Sequence, residues 1–245
     1  MIPSVCQLGW RLERPILLCY DQAMLSKVQE KLIRSLRTNK GRQKTGLCLV
    51  EGEKAVEMAA KHLEYVFSPK DTAQFEKLVT TQTPQSIAAV ARIPSWEMSD
   101  ILKADAVVVL DGVQDPGNVG SIVRLCLGFQ ASLILVDSAD ISNPKVIRSS
   151  AGAMFHVPSI AVSRAEALRL IEKIGYPVYR LEKRAGAKAL KGRLSKPLVL
   201  VAGSEARGIT LDVKGQSIFI EHERQLESLN VGQALAIALY ELRRA

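Results

Sequence analysis

The chain has 245 residues, a formal net charge of +8 and a hydrophobic fraction of 47%, enough for one large domain or two smaller ones with a sizeable core. No apolar run reaches the roughly 18 residues that cross a bilayer, and the first residues lack the basic start, long apolar stretch and cleavage site of a secretory signal, so a cytosolic protein without a membrane span is expected. The 4 cysteines (Cys6, Cys19, Cys48, Cys126) show no C-x-x-C spacing and there are only 3 histidines, which speaks against a metal site or a disulfide framework and for reduced, mostly buried thiols.

Residues 1–20 carry no clear pattern and read as an N-terminal tail. Residues 22–38 place Leu25, Val28, Leu32 and Leu36 at helical spacing, an amphipathic helix. Lys27, Lys31, Arg34, Arg37, Lys40, Arg42 and Lys44 run through and past it with Glu30 the one acid among them. Such a block suits a polyanion such as RNA, since each phosphate contact releases counterions; it equally suits a solvated helix face followed by a flexible loop. The two glycines of "NKGRQKTG" are expected to break the helix. Then come a short strand ("LCLVEG"), a helix ("EKAVEMAAKHL"), a strand ("EYVFSP"), a helix ("TAQFEKLVTT") and a strand ("QSIAAVARI"). This makes residues 21–95 a small α/β domain, and Pro94 opens a linker or short helix into a second domain, 96–245.

The second domain alternates apolar strands with helices. "AVVVLDG", "ASLILVD", "VPSIAV", "YPVYRLE", "PLVLVAGSE" and "QSIFIE" are the strands; "GNVGSIVRLCLGF", "NPKVIRSSAGAMF", "RAEALRLIEKIG" and "SLNVGQALAIALYELRRA" are the helices. Continuous Val, Ile and Leu strands between helices predict a parallel sheet covered on both faces. A second basic block, Arg180, Lys183, Arg184, Lys188, Lys191, Arg193 and Lys196, is interrupted only by Glu182. Two such blocks tilt the balance toward nucleic acid.

A parallel sheet offers its ligand site at the carboxyl ends of its strands, and three loops there carry unexplained polar residues. In "DPGNVGSIVR" the Pro and glycines suit a turn into a helix, Asn118 could cap that helix, and Arg124 stands in an otherwise apolar helix, where it either reaches solvent or serves a site. The glycine spacing is wrong for a dinucleotide fingerprint. In "LVLVAGSEARGIT", Glu205 could cap the next turn or pair with Arg124. In "SLNVGQ", Ser228 or Asn230 could cap the last helix. Polar groups converging from three such loops form a default site.

With those loops in hand, the chain resembles the SpoU-type RNA ribose 2'-O-methyltransferases of the SPOUT superfamily, the TrmH-like proteins. The three family motifs are matched in order by "LDGVQDPGNVGSIVRLCLGF" (110–129), "LVLVAGSEARGI" (198–209) and "SLNVGQALAIALYELRR" (228–244). "VEGEKAVEMAAKHLEYVFSP" and "PQSIAAVAR" resemble, more loosely, the small ribosomal-protein-like RNA-binding domain that precedes the catalytic domain in many members. The resemblance implies an α/β catalytic domain with a C-terminal trefoil knot, an exception to un-knotted chains, with S-adenosylmethionine as cofactor and a homodimer. It implies that Arg124 assists loss of the ribose 2'-hydroxyl proton, that Asn118 supports that site and that Glu205, Ser228 and Asn230 complete it. Ala202, Gly203, Ser204, Ile220 and Leu229 would bind the cofactor, largely through main chain, and Arg148 would join the first basic block in contacting RNA. Where the family has an Ile-Pro-Met type run, this chain has Ile220-Glu221-His222-Glu223.

Ribosomal RNA, of the large subunit, is favoured over transfer RNA by the two-domain layout, a fold-level analogy. Two further readings stand beside the enzyme. A SpoU-like RNA-binding or ribosome-assembly protein without effective methyl transfer would explain the altered Glu221–Glu223 run. An unrelated doubly wound enzyme acting on a small metabolite would leave the basic blocks without a purpose.

Overall fold

The computed structural model of the chain describes residues 24–191, 194–223, 225–226 and 228–244; the N-terminal tail, with Cys6 and Cys19, and Arg193 lie outside the described residues. Two sheets organise the chain: a three-stranded sheet in the order β1-β3-β2 and a seven-stranded sheet in the order β6-β5-β4-β9-β7-β10-β8.

The first sheet is antiparallel, from β1 (Leu47–Glu51), β2 (Leu63–Phe67) and β3 (Ala88–Arg92). Helix α1 (Lys27–Ser35) starts at Ser26 with a reciprocal capping box to Gln29, which satisfies two of the end donors. The expected break at "NKGRQKTG" is instead a second helix, α2 (Asn39–Thr45). Thr38 Oγ1 accepts from the Gly41 amide at 3.1 Å, and Gly46 closes the helix in the left-handed region at φ 68. Gly41 is present for closeness: a Cβ there would sit 1.9 Å from the Ser35 carbonyl oxygen. The glycines that read as breakers thus allow a tight helix–helix corner. Helices α3 (Glu53–Met58) and α4 (Phe75–Leu78) complete this half.

Its side chains alternate as strand geometry requires. Leu49, Phe67, Ala88 and Val90 face Ile33, Leu36, Phe75 and Leu78 in one core. Cys48, Val50, Ala89 and Ala91 face the other way, into the core of the larger sheet.

The second sheet is parallel at every pairing, as its apolar strands predict. After the short α5 (Met98–Ile101), the central strand β4 (Ala106–Asp111) leads through α6 (Pro116–Phe129), β5 (Ser132–Val136) and α7 (Pro144–Ser149) to β6 (Ser159–Val162) at one edge. Helix α8 (Arg164–Ile174) then carries the chain to the other side, where β7 (Val178–Leu181), β8 (Lys188–Ala189), β9 (Leu198–Gly203) and β10 (Gln216–Phe219) lie, before α9 (Val231–Arg244). The strand order reverses direction at β4, the kind of switch point where open α/β sheets bind ligands. Val108 and Leu110 point toward α6, α7 and α9, while Val107 and Val109 point toward α5 and α8. Both faces are covered, which is why these strands read as unbroken apolar runs.

Two elements depart from expectation. The two-residue strand β8 at the sheet edge gave no sequence signal. Helix α7 stops at Ser149 rather than running to Phe155, because Ala151 (φ 51) and Gly152 (φ 80) take left-handed backbone before a 3-10 turn at Ala153–Phe155. Helices α6 and α7 meet at Gly120, where a Cβ would lie 1.8 Å from Ser149 Oγ and 2.8 Å from the Val146 carbonyl oxygen.

Gly120→Ala is therefore expected to destabilise by about 1–3 kcal/mol through overpacking; a urea midpoint equal to that of the wild type would contradict this contact. Burial pushes the Cys48 and Cys126 thiols up to about 12. Neither should react with Ellman's reagent in the folded chain at pH 8, and both should react in urea. Because the folded thiols hold their protons where unfolded ones lose them, stability should also fall as pH rises from about 9 toward 12.

Candidate functional site

The last rung between β4 and β9 pairs Asp111 with Gly203, and the candidate site hangs from it. The Asp111 side chain is fully buried. It accepts the Thr210 amide at 2.5 Å, the Leu211 amide at 2.6 Å and Arg164 Nη1 at 2.9 Å, with Thr210 Oγ1 at 3.1 Å. Arg164 also reaches Asp137 at 3.1 Å, and its two acidic partners raise its pKa further, with Asp137 the larger cause. A buried carboxylate needs donors of this kind to replace the water it has lost. It pins the loop after β9, whose start is fixed as the Ser204 amide donates to the Asp111 carbonyl at 3.1 Å. Gly203 has no room for a side chain, since a Cβ would lie 2.0 Å from the Gly208 carbonyl carbon.

That loop projects Glu205. Its Oε1 accepts Asn118 Nδ2 at 2.7 Å and Asn230 Nδ2 at 3.1 Å, and Asn230 Nδ2 also donates to Asn118 Oδ1 at 3.1 Å. Residues from the first turn of α6, the loop after β9 and the segment before α9 thus close one triangle. Asn118 is not the helix cap: Asp115 caps α6, accepting the Gly117 amide at 3.1 Å, and that bond is the main cause of its lowered pKa. Freed from capping, Asn118 turns to Glu205. Asn230 does both jobs, its Oδ1 accepting the Gly232 amide at 2.9 Å at the start of α9.

Glu205 therefore neither caps a turn nor pairs with Arg124; it accepts from the two side-chain amides. Arg124, farther along α6, is exposed and makes no hydrogen bond or ion pair with a described residue. Ser228 is exposed and joins no bond within the triangle. Counting donors and acceptors, Asn230 is saturated, whereas Glu205 Oε2, the second Asn118 N–H and the Arg124 guanidinium remain open among the described residues. One open acceptor and one open amide donor at a strand-end crevice can hold a hydroxyl, while Arg124 stands six residues farther along α6.

Of the residues expected at a cofactor, Ala202, Gly203 and Ser204 lead into Glu205 and Leu229 precedes Asn230, while Ile220 follows β10, which β7 separates from β9. Ala202 is buried, Gly203, Ser204, Ile220 and Leu229 are half-buried, and Ser204 Oγ accepts the Arg207 amide at 3.3 Å. The Glu221–Glu223 run folds locally: His222 Nδ1 donates to the Ile220 carbonyl at 2.7 Å, and Glu221 pairs with Lys191 at 3.1 Å.

The basic blocks divide. Lys27, Lys31, Arg34, Arg37, Lys40 and Lys44 are exposed. Arg42 is not available to RNA: it is 2% exposed and bonds Asp140 Oδ2 at 2.6 Å and the Leu36 carbonyl at 2.9 Å. Arg148 is likewise engaged within the protein, with Glu51 at 2.7 Å and Thr80 at 3.1 Å. In the second block Arg180 and Arg184 both turn to Glu182, at 3.0 and 3.6 Å. Sequence reasoning missed Asp111, Arg164 and Thr210; an acid ending the apolar run "VVVLD" was the available signal. No group of side chains suited to a metal ion occurs among the described residues.

Residues 105–240 match the SpoU rRNA Methylase family. The chain is 31% identical over 235 residues to the 23S rRNA (guanosine(2553)-2'-O)-methyltransferase RlmP of Bacillus subtilis, covering 86% of this chain and 94% of that one. It is 35% identical over 181 residues to a 23S rRNA (adenosine(1067)-2'-O)-methyltransferase of Streptomyces azureus, covering 70% and 67%. The solved structure of a TrmH-family protein from Porphyromonas gingivalis superposes with a TM-score of 0.79 at 31% identity, covering 91% of this chain and all (100%) of that one.

Removing the Asp111 carboxylate should release the loop that carries Glu205. Asp111→Ala is expected to cost about 3 kcal/mol or more, because Arg164 and two amides lose a buried partner. A urea unfolding curve matching that of the wild type would show that the loop is held by something else.

Proposed function

Because the chain belongs to the SpoU rRNA methylase family, an RNA 2'-O-methyltransferase family using S-adenosylmethionine, we propose that it methylates a ribose in large-subunit ribosomal RNA, with the Asn118–Glu205–Asn230 triangle and Arg124 as its reaction centre. The observation that carries this reading is the convergence of those three residues from the first turn of α6, the loop after β9 and the segment before α9. The names of the relatives in Bacillus subtilis and Streptomyces azureus, both acting on 23S rRNA, favour the large subunit.

The residues fit a sulfonium cofactor. The one charged group in the triangle is a carboxylate, Ala202 and Gly203 put nothing larger than a methyl at the end of β9, and Ile220 and Leu229 offer half-buried apolar surface. Bound S-adenosylmethionine supplies an already activated methyl group. This chain's own residues then position the nucleophile. Glu205 Oε2 accepts the hydrogen of the ribose hydroxyl. The Arg124 guanidinium steadies negative charge developing on the ribose oxygen or an adjacent phosphate. Asn118 and Asn230 fix the carboxylate so that no reorganisation is needed as charge develops. Ser228 closes the rim of the crevice.

On this reading residues 24–95 form the RNA-binding domain, with Lys27, Lys31, Arg34, Arg37, Lys40 and Lys44 as its phosphate contacts. The C-terminal segment threads a trefoil knot, and two copies pair across α6 and α9, where Leu127, Ile237 and Tyr240 leave apolar surface exposed. The protein works in the cytoplasm. The alternative, an RNA-binding protein with weak transfer, is favoured by one observation: His222 already engages the Ile220 carbonyl beside the expected cofactor segment.

Labelled methyl transfer from S-adenosylmethionine to ribosomal and transfer RNA lacking the modification separates the two readings. Label should enter large-subunit RNA, and Arg124→Ala should lower kcat by about 10²-fold or more. Asn118→Ala should also lower kcat while leaving cofactor affinity, read by calorimetry, largely unchanged. RNA binding without label from any RNA would establish the alternative; label in transfer RNA alone would move the substrate.

A further inference from the structure

Arg42 and Arg148 both belong to the basic set expected on RNA, yet each crosses the seam between the two halves of the chain, and in opposite directions. Arg42 of α2 reaches Asp140 and Ser142 in the loop before α7, with Nε 3.1 Å from both Asp140 Oδ2 and Ser142 Oγ. Arg148 of α7 reaches back to Glu51 at the end of β1, whose side chain is only 4% exposed, and to Thr80. Between these clamps the halves share one apolar core, in which Cys48, Val50, Ala55, Ala89 and Ala91 pack with Val146, Ile147, Met154 and Phe155. His156 Nε2 donates to the Met58 carbonyl at 2.8 Å. Gly152 lets the chain close on α3, where a Cβ would lie 2.7 Å from Met58 Cβ. Domains joined by small polar contacts swing; a continuous core flanked by part-buried ionic clamps resists it.

The same short helix packs against the start of the helix that carries Asn118. On its other side α7 packs along α6: Ser149 Oγ donates to the Pro116 carbonyl at 3.2 Å, and Lys145 Nζ lies 3.5 Å from Asp115, the cap of α6. Asn118 stands in the first turn of that helix.

We propose that Arg42 and Arg148 are positioning residues that weld the basic α1–α2 face to the reaction centre through α7, so that the enzyme selects its nucleotide by the fixed span between the RNA element held on that face and the ribose reached by Asn118 and Glu205. The inference rests on the methyltransferase reading above. A rigid span fixes the hydroxyl for attack, and a small misplacement of a bound substrate costs turnover far more than it costs binding.

Spin labels at Glu76→Cys and Lys173→Cys, with Cys6 and Cys19 replaced by Ser, report the span by double electron–electron resonance, since buried Cys48 and Cys126 stay unlabelled. The parent chain should give one narrow distance distribution, and the double variant Arg42→Ala, Arg148→Ala a broad one. In label-free protein that double variant should lose at least about tenfold in kcat on large-subunit RNA, with KM for RNA and Kd for S-adenosylmethionine within about twofold. Arg148→Lys should restore most of the loss. Glu51→Gln, which keeps the shape of the seam, should fall between the two if the double variant does not fold. A broad distribution in the parent, a broadened span with unchanged kcat, or a kcat loss that follows lost cofactor binding would each overturn the proposal. Expected distance changes in a parent that transfers no methyl to RNA would instead leave the weld standing and remove the proposed reaction.

Discussion

The Asp111 carboxylate is the constraint on which the crevice depends. It ends the central strand, is fully shielded from water and gathers two loop amides, a hydroxyl and a guanidinium. A charge so placed is tolerable only with all of those donors present, so the loop after β9 has one folded arrangement. That arrangement sets where Glu205 stands, and Glu205 in turn orients Asn118 and Asn230. Order runs from the sheet outward: strand register fixes Asp111 against Gly203, Asp111 fixes the loop, and the loop fixes the carboxylate.

Each polar group in the triangle is also tied to an element that has its own reason to be rigid. Asn230 caps α9 with one oxygen while both of its amide hydrogens are used inside the triangle. Asn118 stands just inside a helix whose cap is supplied by its neighbour Asp115. The division of labour between Asp115 and Asn118 explains the sequence order: the acid takes the helix end, where it meets the positive end of the macrodipole, and the neutral amide is left to face another carboxylate without repulsion.

What the sequence made legible was what local pattern controls. Apolar strands covered on both faces, the α6 and α9 helices and the polar loop residues at strand ends follow from periodicity and from chemistry within a few residues. What it hid was pairing at long range. Arg42 meets Asp140 98 residues away and Arg148 meets Glu51 97 residues away, so the charge of the first block put Arg42, and the family resemblance put Arg148, on the RNA side, although both are engaged by partners within the protein. The glycines of α2 misled for a related reason. Gly41 looks like a helix breaker by composition, and its need for closeness to Ser35 exists only once α1 and α2 have folded against each other. The early end of α7 has the same origin, in contact with α3.

These long-range pairs also explain how a small α/β unit can be stable here. The sheet β1-β3-β2 has one face on α1 and α4 and the other in the core of the larger sheet. It has no solvent face to make polar, so its strands are as apolar as those of the parallel sheet, with Cys48 and the alanines of β3 allowing close approach. A sheet built this way cannot be detached without exposing half of its core to water. The basic face of α1 and α2 is then carried on a sheet that shares its core with the sheet from which Glu205 projects.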